Sequence, residues 1–336
     1  MHIPDNYLGP ATCAVMAVAV APAWILSVKK AAKDLPKEKV PLLGIGAAFS
    51  FLIMMLNLPV PGGTTVHAVG GTLLAVLVGP YAACISISTA LLIQALVFGD
   101  GGILSFGANC FNMAFVIPFL GYFIYEFVKE RAKSKRGEYI GLAIASYLAI
   151  NFAALCAAIE FGLQPLVARD AAGLPLYCPY PLSASIPAML IPHLAVAGII
   201  EAAFTVAIVA FVAKASPGSI YLGSPVKMKP LYALVVALIL ASPLGLIAAG
   251  PAWGEWGPDE IKSIVNGGRS LGFVPAGMEK GFHLPSPFPN YGLKGLPDII
   301  GYVLSAMLGV AVFIIAYKLL GLLRKGKKSD AAGAGA

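Results

Sequence analysis

Residues 8–28 read LGPATCAVMAVAVAPAWILSV, a run without a charged side chain that is followed at once by Lys29 and Lys30. A helix of about 20 apolar residues crosses a bilayer core, so this run predicts a membrane-spanning helix. The chain of 336 residues continues the pattern, with 59% hydrophobic residues, 12% charged residues and a mean hydropathy of +0.84. This composition excludes a water-soluble domain of the same size. We therefore predict an all-α, polytopic transmembrane protein.

The same length criterion places nine candidate spans along the chain. The third is short, which indicates a helix that is tilted or that crosses the bilayer only in part. Together the spans predict a transmembrane bundle of about seven helices, followed by a C-terminal hairpin unit of two helices. They cover residues 8–28, 40–58, 66–79, 81–98, 108–128, 139–160, 185–213, 230–250 and 297–320.

The net charge of +7 is concentrated in short basic clusters between the apolar runs, which indicates membrane orientation rather than nucleic-acid binding. If the chain crosses the membrane nine times, all the basic clusters lie on the same side. The positive-inside rule identifies that side as the cytoplasm. In a cell inner membrane the N-terminus is then extracytoplasmic, as are loops 59–66, 99–107 and 251–296, and the C-terminus is cytoplasmic. If the third and fourth runs formed one broken helix, the basic clusters that follow would lie on the opposite side of the membrane from the first cluster, against the positive-inside rule. The clusters are Lys29–Lys39, Lys129–Arg136, Lys214–Lys229 and Arg324–Lys328.

A change in composition divides the chain into two units. Residues 214–229 contain Ser216-Pro217-Gly218 and Ser224-Pro225, which is typical of a linker. We predict a membrane domain at 1–213, a cytoplasmic linker at 214–229, a two-helix unit at 230–323 with its extracytoplasmic loop at 251–296, and a cytoplasmic tail at 324–336.

The dipeptide Met1-His2 gives the sharpest chemical signal. A bulky second residue disfavours removal of Met1, so we expect a free α-amino group. That amine, the His2 amide nitrogen and His2 Nδ1 can close a five-membered and a six-membered chelate ring on one metal ion. Coplanar nitrogens of this kind favour Ni(II) or Cu(II) over Zn(II) or Mg(II), once the amide is deprotonated.

His67 is the predicted fourth ligand. It follows the turn Pro61-Gly62-Gly63-Thr64, on the same predicted side as the N-terminus. Ionisable residues at a membrane boundary are costly and usually have a role. The alternative is that His2 is a solvated terminal residue and that His67 is an interfacial or capping residue.

A glycine-rich loop near residue 100 is a candidate for orienting these ligands. Gln94, Asp100, Asn109 and Asn112 flank it, and their side chains can hydrogen-bond to groups that bind a metal. The alternative is a simple tight turn at residues 99–102, with the amides capping the next helix.

Four further ionisable residues lie in or near apolar runs. His193 and Glu201 are eight residues apart in the seventh predicted span, a spacing that places them on a similar helix face. A functional pair is possible there, but a structural hydrogen bond between helices is favoured, because no third ligand is evident. Glu160 and His283 are interpreted as interfacial residues.

Three motifs resemble one transporter family: MHIPDNYL at 1–8, HAVGGTLL at 67–74 and QALVFGDGG at 94–102. They are similar to the cobalt/nickel substrate-binding subunits of energy-coupling factor transporters, the CbiM/NikM family, over about residues 1–213. The resemblance implies metal binding by the Met1 amine, the His2 amide and imidazole, and His67. One departure is Asn6, where the family usually has Gly; Asn tolerates a left-handed backbone, so we expect the turn to persist.

Residues 230–323 resemble the small companion subunit of the same transporters, with Ser242-Pro243-Leu244-Gly245-Leu246 at the outer end of its first helix. The resemblance implies a natural fusion of binding subunit and companion. It also implies partners, a transmembrane coupling subunit and two cytoplasmic ATPases, because the chain has no phosphate-binding Walker sequence in a suitable context. Small residues such as Gly44, Gly46 and Ala47 could dock on the coupling subunit or pack within the chain.

Two other functions compete with this interpretation. A self-sufficient secondary permease normally has inverted repeats and ionisable residues at the membrane centre, and neither is evident. An intramembrane metalloenzyme would need an HExxH-like helix, which the four histidines do not provide. We therefore expect a transport subunit rather than an enzyme, with no cofactor and with Ni(II) or Co(II) as its transported substrate. The nitrogen donors do not distinguish the two ions.

Overall fold

The fold is a helical bundle with a layer of loops over one end. A computed structural model describes residues 1–35, 39–61, 64–220, 226–248, 250–266 and 269–333. In chain order, the helices of these residues are α1 (Pro10–Asp34), α2 (Val40–Met54), α3 (Gly71–Val78), α4 (Pro80–Phe98), α5 (Phe106–Lys129), α6 (Lys135–Val167), α7 (Leu182–Ala215), α8 (Met228–Ile247), α9 (Pro258–Ile261), α10 (Ala276–Glu279) and α11 (Asp298–Gly333).

Seven of these helices are long and apolar enough to cross a membrane: α1, α4, α5, α6, α7, α8 and α11. The predicted class, a polytopic helical membrane protein, is thus confirmed. Three of the seven helices contain a π-helical turn, at Gln94–Phe98 in α4, Cys110–Val116 in α5 and His193–Ala197 in α7. Each such turn shifts the helix face along which later side chains lie.

The predicted spans at 40–58 and 66–79 differ from the structure. Helix α2 has 15 residues and α3 only 8, because the chain between them forms an antiparallel hairpin of β1 (Leu58–Val60) and β2 (Thr64–Val66). At 1.5 Å per residue, α3 is about 12 Å long. Residues 67–70, which precede it, are buried, so irregular backbone is tolerated here by contact with protein rather than with lipid.

Helix α2 lies at the centre of the bundle. Residues 42–54 are all buried, so protein surrounds this helix on every side. Gly44 faces Tyr317 of α11, and Gly46 faces Leu74 of α3. These small residues, together with the fully buried Ala47, therefore pack within the chain.

The N-terminal segment, the β1–β2 hairpin, the loop after α4 and the loop between α8 and α11 meet at one end of the bundle. Trp253 N donates to Thr64 Oγ1 at 2.8 Å, and Phe288 N donates to Val97 O at 3.0 Å. The loop at 251–296 contains α9, α10, a short hairpin of β3 (Val265–Asn266) and β4 (Arg269–Ser270), and a 3₁₀ turn at Pro289–Tyr291. It forms a cover over this end.

Parts of some predicted features lie outside the described residues. These are residues 62–63 of the glycine turn, 36–38 of the first basic cluster, 221–225 of the linker with Ser224-Pro225, and 334–336 of the tail. Within the described part of the linker, Pro217–Ser219 forms a single 3₁₀ turn.

Candidate metal site

The first three residues are enclosed by protein. Met1, His2 and Ile3 are 5%, 3% and 0% exposed. The Asn109 amide fixes the backbone of residue 3: its Oδ1 accepts from Ile3 N at 2.8 Å and its Nδ2 donates to Ile3 O at 3.0 Å. Asn109 thus holds the segment that the sequence predicted it would support.

The glycine-rich loop folds over this segment. Gly102 N donates to Ile3 O at 2.8 Å, and Leu104 N donates to Asp5 Oδ1 at 2.7 Å. A Cβ added at Gly102 would lie 2.3 Å from Asp5 N, so only glycine allows the two backbones to approach so closely. The loop is therefore more than a tight turn between two helices.

The predicted turn at Asn6 is present, with φ of 66°. The Asn6 side chain also has a role that the sequence did not suggest. Its Nδ2 donates to Phe282 O at 2.7 Å, and Phe282 N donates to its Oδ1 at 3.0 Å. The residue that replaces Gly thus joins the N-terminal segment to the covering loop.

His2 and His67 lie next to each other, with ring centroids 5.0 Å apart and planes inclined at 31°. His67 Nδ1 donates to Ala68 O at 3.0 Å, and His2 Nδ1 is 3.1 Å from Asp100 Oδ1. The Nε2 atoms of both rings are buried and have no hydrogen-bond partner among the described residues. Two imidazole nitrogens with free lone pairs are thus enclosed at one place.

Both imidazoles are neutral at physiological pH. Burial, aided by the nearby terminal amine, lowers the pKa of His2 to about 3. Burial, aided by the same amine, also holds the pKa of His67 well below its usual range. Neutral imidazole is the form that binds metal ions, so neither ring has to lose a proton before binding.

Asp100 and Gln94 form a polar network beside His2. Asp100 accepts from Gln94 Nε2 at 3.0 Å, and Gln94 also lies against the His2 ring. The Tyr291 hydroxyl, from the covering loop, donates to Asp100 and accepts from Gln94 Nε2 at 2.9 Å. Burial raises the pKa of Asp100, whereas the Tyr291 hydrogen bond favours the carboxylate. The sequence predicted Gln94 and Asp100, but no local motif marked Tyr291.

The terminal amine faces a carboxylate of the covering loop. Met1 N is 3.9 Å from Glu255 Oε1, and burial raises the pKa of this carboxyl. A cleft of about 600 Å³ adjoins the two histidines and is also lined by Asp100, Glu255 and Glu260. An acidic, partly open space therefore leads to the histidine pair.

Glu201 holds the backbone that follows His67. From α7, its carboxylate accepts from Val69 N at 2.8 Å and from Gly70 N at 3.0 Å. Ser50 of α2 donates to the Val69 carbonyl at 2.7 Å. Glu201 was noticed in the sequence as an ionisable residue in an apolar run, a signal that could have assigned it this role.

Three residues singled out in the sequence make their hydrogen bonds or line a crevice outside the histidine pair. Asn112 donates to Glu160 Oε2 at 2.9 Å, within the α5–α6 contact. His193 donates through Nδ1 to Met189 O, 2.7 Å away in its own helix, rather than to another helix. His283 lines an outer crevice with Asp5.

Conventional metal ligands do not gather at any one place in the part of the chain that the structure describes. There, no group of three or more His, Cys, Asp or Glu side chains is arranged to hold an ion. Met1, His2 and His67 instead bring two imidazoles and the terminal amine close together.

Comparison with known proteins gives two family matches. The profile of CbiM, the cobalt uptake substrate-specific transmembrane region, matches residues 2–219, and the PDGLE domain matches residues 228–326. The chain is 50% identical over 319 residues to the probable fused nickel transport protein LarMN of Lactiplantibacillus plantarum, a match that covers 94% of this chain and 96% of the relative.

A second relative and a solved structure are also similar to this chain. The fused nickel transport protein NikMN of Rhodobacter capsulatus is 46% identical, with 96% of this chain and 98% of the relative covered. A crystal structure described as a truncated transition metal transporter is 53% identical and has a TM-score of 0.60, with 64% of this chain and 99% of that chain covered. All are transport proteins, which agrees with the expectation that this chain is not an enzyme. The chain belongs to the CbiM family of cobalt uptake substrate-specific transmembrane proteins, with a PDGLE domain joined to its C-terminal side.

Proposed function

We propose that the chain is the substrate-binding membrane subunit of an ATP-driven importer of the energy-coupling factor type, and that it carries Ni(II) or Co(II). The main support is the convergence of Met1, His2 and His67 in an enclosed pocket, where Nε2 of both histidines has no hydrogen-bond partner in the part of the chain that the structure describes. Buried polar atoms without partners are costly unless a ligand satisfies them.

The metal is bound by the Met1 amine, the His2 amide and imidazole, and His67. The amine, amide and His2 Nδ1 form the two fused chelate rings, and a deprotonated amide is a strong in-plane donor that suits Ni(II). His2 Nδ1 faces Asp100 in the structure, so binding through this atom requires the ring to turn about its Cβ–Cγ bond. The other ring nitrogen is then the N–H donor, and Asp100 is the carboxylate beside the ring.

Nickel and cobalt both fit these donors. The two fused relatives are named as nickel transport proteins, whereas the matching family is described by cobalt uptake. Titration calorimetry of each ion into the purified chain compares them directly. Selectivity between such similar ions is set by geometry and availability rather than by donor type alone.

The energy for transport comes from other subunits in this proposal. A transmembrane coupling subunit and two cytoplasmic ATPases act with a binding domain at 1–213, which a linker at 214–229 joins to the companion-like unit at 230–323. The basic clusters favour the cell inner membrane, with an extracytoplasmic N-terminus and a cytoplasmic C-terminus. The metal pocket then opens towards the outside, where the ion is captured.

Uptake of radioactive nickel or cobalt in cells tests the dependence on partners. The chain is produced with or without the coupling and ATPase subunits, in a host that lacks its own uptake systems. Accumulation only with the partners, and its loss when the ATPase Walker lysine is replaced, is the expected result. Vigorous uptake by the chain alone would contradict the proposal and favour a secondary permease.

A further inference from the structure

The C-terminal unit reaches the polar network beside His2 through the side chain of Tyr291. Tyr291 lies in the 3₁₀ turn Pro289–Tyr291, just before α11, and is only 4% exposed. Its hydroxyl donates to Asp100 Oδ2 and accepts from Gln94 Nε2. A residue of the companion-like unit therefore completes a hydrogen-bond network in the binding domain, although Tyr291 and Asp100 are 191 positions apart in the sequence.

The two oxygens of Asp100 have different partners. Oδ2 accepts from Tyr291, and Oδ1 is 3.1 Å from His2 Nδ1. One carboxylate thus connects the phenol of the C-terminal unit with a candidate metal ligand. Carboxylates that accept the spare N–H of a ligating histidine set its ring orientation and raise its basicity. A contact that holds the Asp100 carboxylate in place therefore also affects the orientation of the His2 ring and of its metal-binding nitrogen.

The backbone at Tyr291 adopts a conformation that residues other than glycine seldom take. Asn290 and Tyr291 are consecutive and have φ of 53° and 60°. The surroundings hold this turn in place: the Tyr291 ring stacks on Phe98, with centroids 4.8 Å apart, and Ser305 Oγ donates to the Tyr291 carbonyl at 2.8 Å. Backbone strain that the surrounding structure maintains is concentrated at functional positions.

We propose that Tyr291 is a positioning residue for the metal site, through which the C-terminal unit raises the metal affinity of the binding domain; this rests on the proposed function. Tyr291 does not touch the metal. It holds the Asp100 carboxylate at the edge of the His2 ring, where Asp100 accepts the Nε2 N–H once the ring has turned to present Nδ1 to the metal.

The Tyr291→Phe substitution in the full chain tests this role, with Ni(II) as the probe. Removing the hydroxyl frees Asp100 to move, and we expect Ni(II) affinity measured by titration calorimetry to fall about tenfold, the lower end of the range for contacts that support ligands. The visible absorption bands of bound Ni(II) should also shift. A purely structural tyrosine would change the melting temperature without shifting these bands.

Tyr302→Phe is the matched control. Tyr302 is equally buried, packs against Tyr291, and donates its hydroxyl to Met55 O at 2.8 Å rather than to Asp100. This variant loses one phenol hydrogen bond at the same interface, whereas Tyr291→Phe loses two. It should therefore lose thermal stability but keep the affinity and the spectrum of the original chain.

A double-mutant cycle with Asp100→Asn tests whether Tyr291 acts through Asp100. If it does, Tyr291→Phe weakens binding when residue 100 is Asp and has little further effect when it is Asn. Equal weakening in both backgrounds, or a Tyr291→Phe variant that binds like the Tyr302→Phe control, would overturn the inference while leaving the proposed function intact. Failure of the unmodified chain to bind Ni(II) would instead reject the proposed function, and this inference with it.

Discussion

At the scale of single residues, a hydrogen bond to the neighbouring main chain sets which nitrogen of His67 is free to bind a metal ion. Its Nδ1 donates to the Ala68 carbonyl, so the remaining lone pair is on Nε2, which lies buried beside His2. The His67→Ala substitution removes this donor. We expect Ni(II) affinity by calorimetry to fall by more than about 100-fold, beyond the loss typical of a supporting contact.

His283→Ala is the control for that variant, because His283 is exposed at the same end of the bundle and lines the adjoining outer crevice rather than the cleft at the histidine pair. Its binding should equal that of the original chain. Both variants should elute as monodisperse protein, since one imidazole adds little to the packing of the bundle. Unchanged affinity in His67→Ala would remove His67 from the site.

Asn6 combines a left-handed backbone with two hydrogen bonds to Phe282. Asn6→Gly keeps the backbone conformation and loses the hydrogen bonds, at about 1 kcal/mol for such exposed contacts. Asn6→Ala loses the same bonds and adds left-handed strain of about 1 kcal/mol or more. Melting temperatures in detergent should therefore fall in the order Asn6, Gly, Ala. An Ala variant that melts above the Gly variant would contradict this explanation.

At the scale of elements, the junction between β2 and α3 depends on a carboxylate from α7. Glu201 accepts backbone N–H groups from Val69 and Gly70 directly after the Ala68 partner of His67. Glu201→Ala leaves these buried donors without a partner, at about 2–4 kcal/mol. We expect faster amide exchange at residues 67–71 and weaker Ni(II) binding, with Glu201→Gln less severe because its carbonyl still accepts.

Glu160→Gln controls for loss of a buried acid in the bundle. Glu160 pairs with Asn112 between α5 and α6, away from the junction. Amide exchange at residues 67–71 should be unchanged in this variant. If Glu201→Ala and Glu160→Gln had the same effect on that segment, general destabilisation rather than local support would explain the result.

The elements that the sequence predicted well are those with long apolar runs, since α1 and the other long helices must match the bilayer thickness. It predicted α2 and α3 less well. Helix α2 is surrounded by protein, so bilayer thickness does not set its length. The β1–β2 hairpin is formed partly by residues that the apolar pattern had assigned to helices.

At the scale of the whole molecule, the site joins distant parts of the sequence. The sequence indicated Met1, His2, His67, Gln94, Asp100 and Asn109, because local motifs and membrane position mark them. It did not indicate Glu255 or Tyr291, whose roles depend on the loop at 251–296 folding over the N-terminus. Such long-range contacts arise only from the packing of α8 and α11 against α2, which periodicity does not reveal.

The packing of the C-terminal unit also makes the N-terminus an interior feature of the molecule. Met1 is enclosed between the binding domain and Glu255, beside a cleft of about 600 Å³. An acetyl group on the Met1 amine converts it into an amide nitrogen and so removes one donor from the chelate. An added residue would not do this, because its own amine forms fused chelate rings with two amide nitrogens and His2 Nδ1.

Calorimetric titration of Ni(II) into the purified chain, with and without an acetyl group on the Met1 amine, therefore tests the metal chelate most directly. Melting temperatures of the two proteins in the absence of metal check that the fold is kept. We predict stoichiometric, tight binding for the chain with a free amine, and at least about 100-fold weaker binding for the acetylated chain. Stoichiometric binding of equal affinity in the acetylated chain would contradict coordination by the amine.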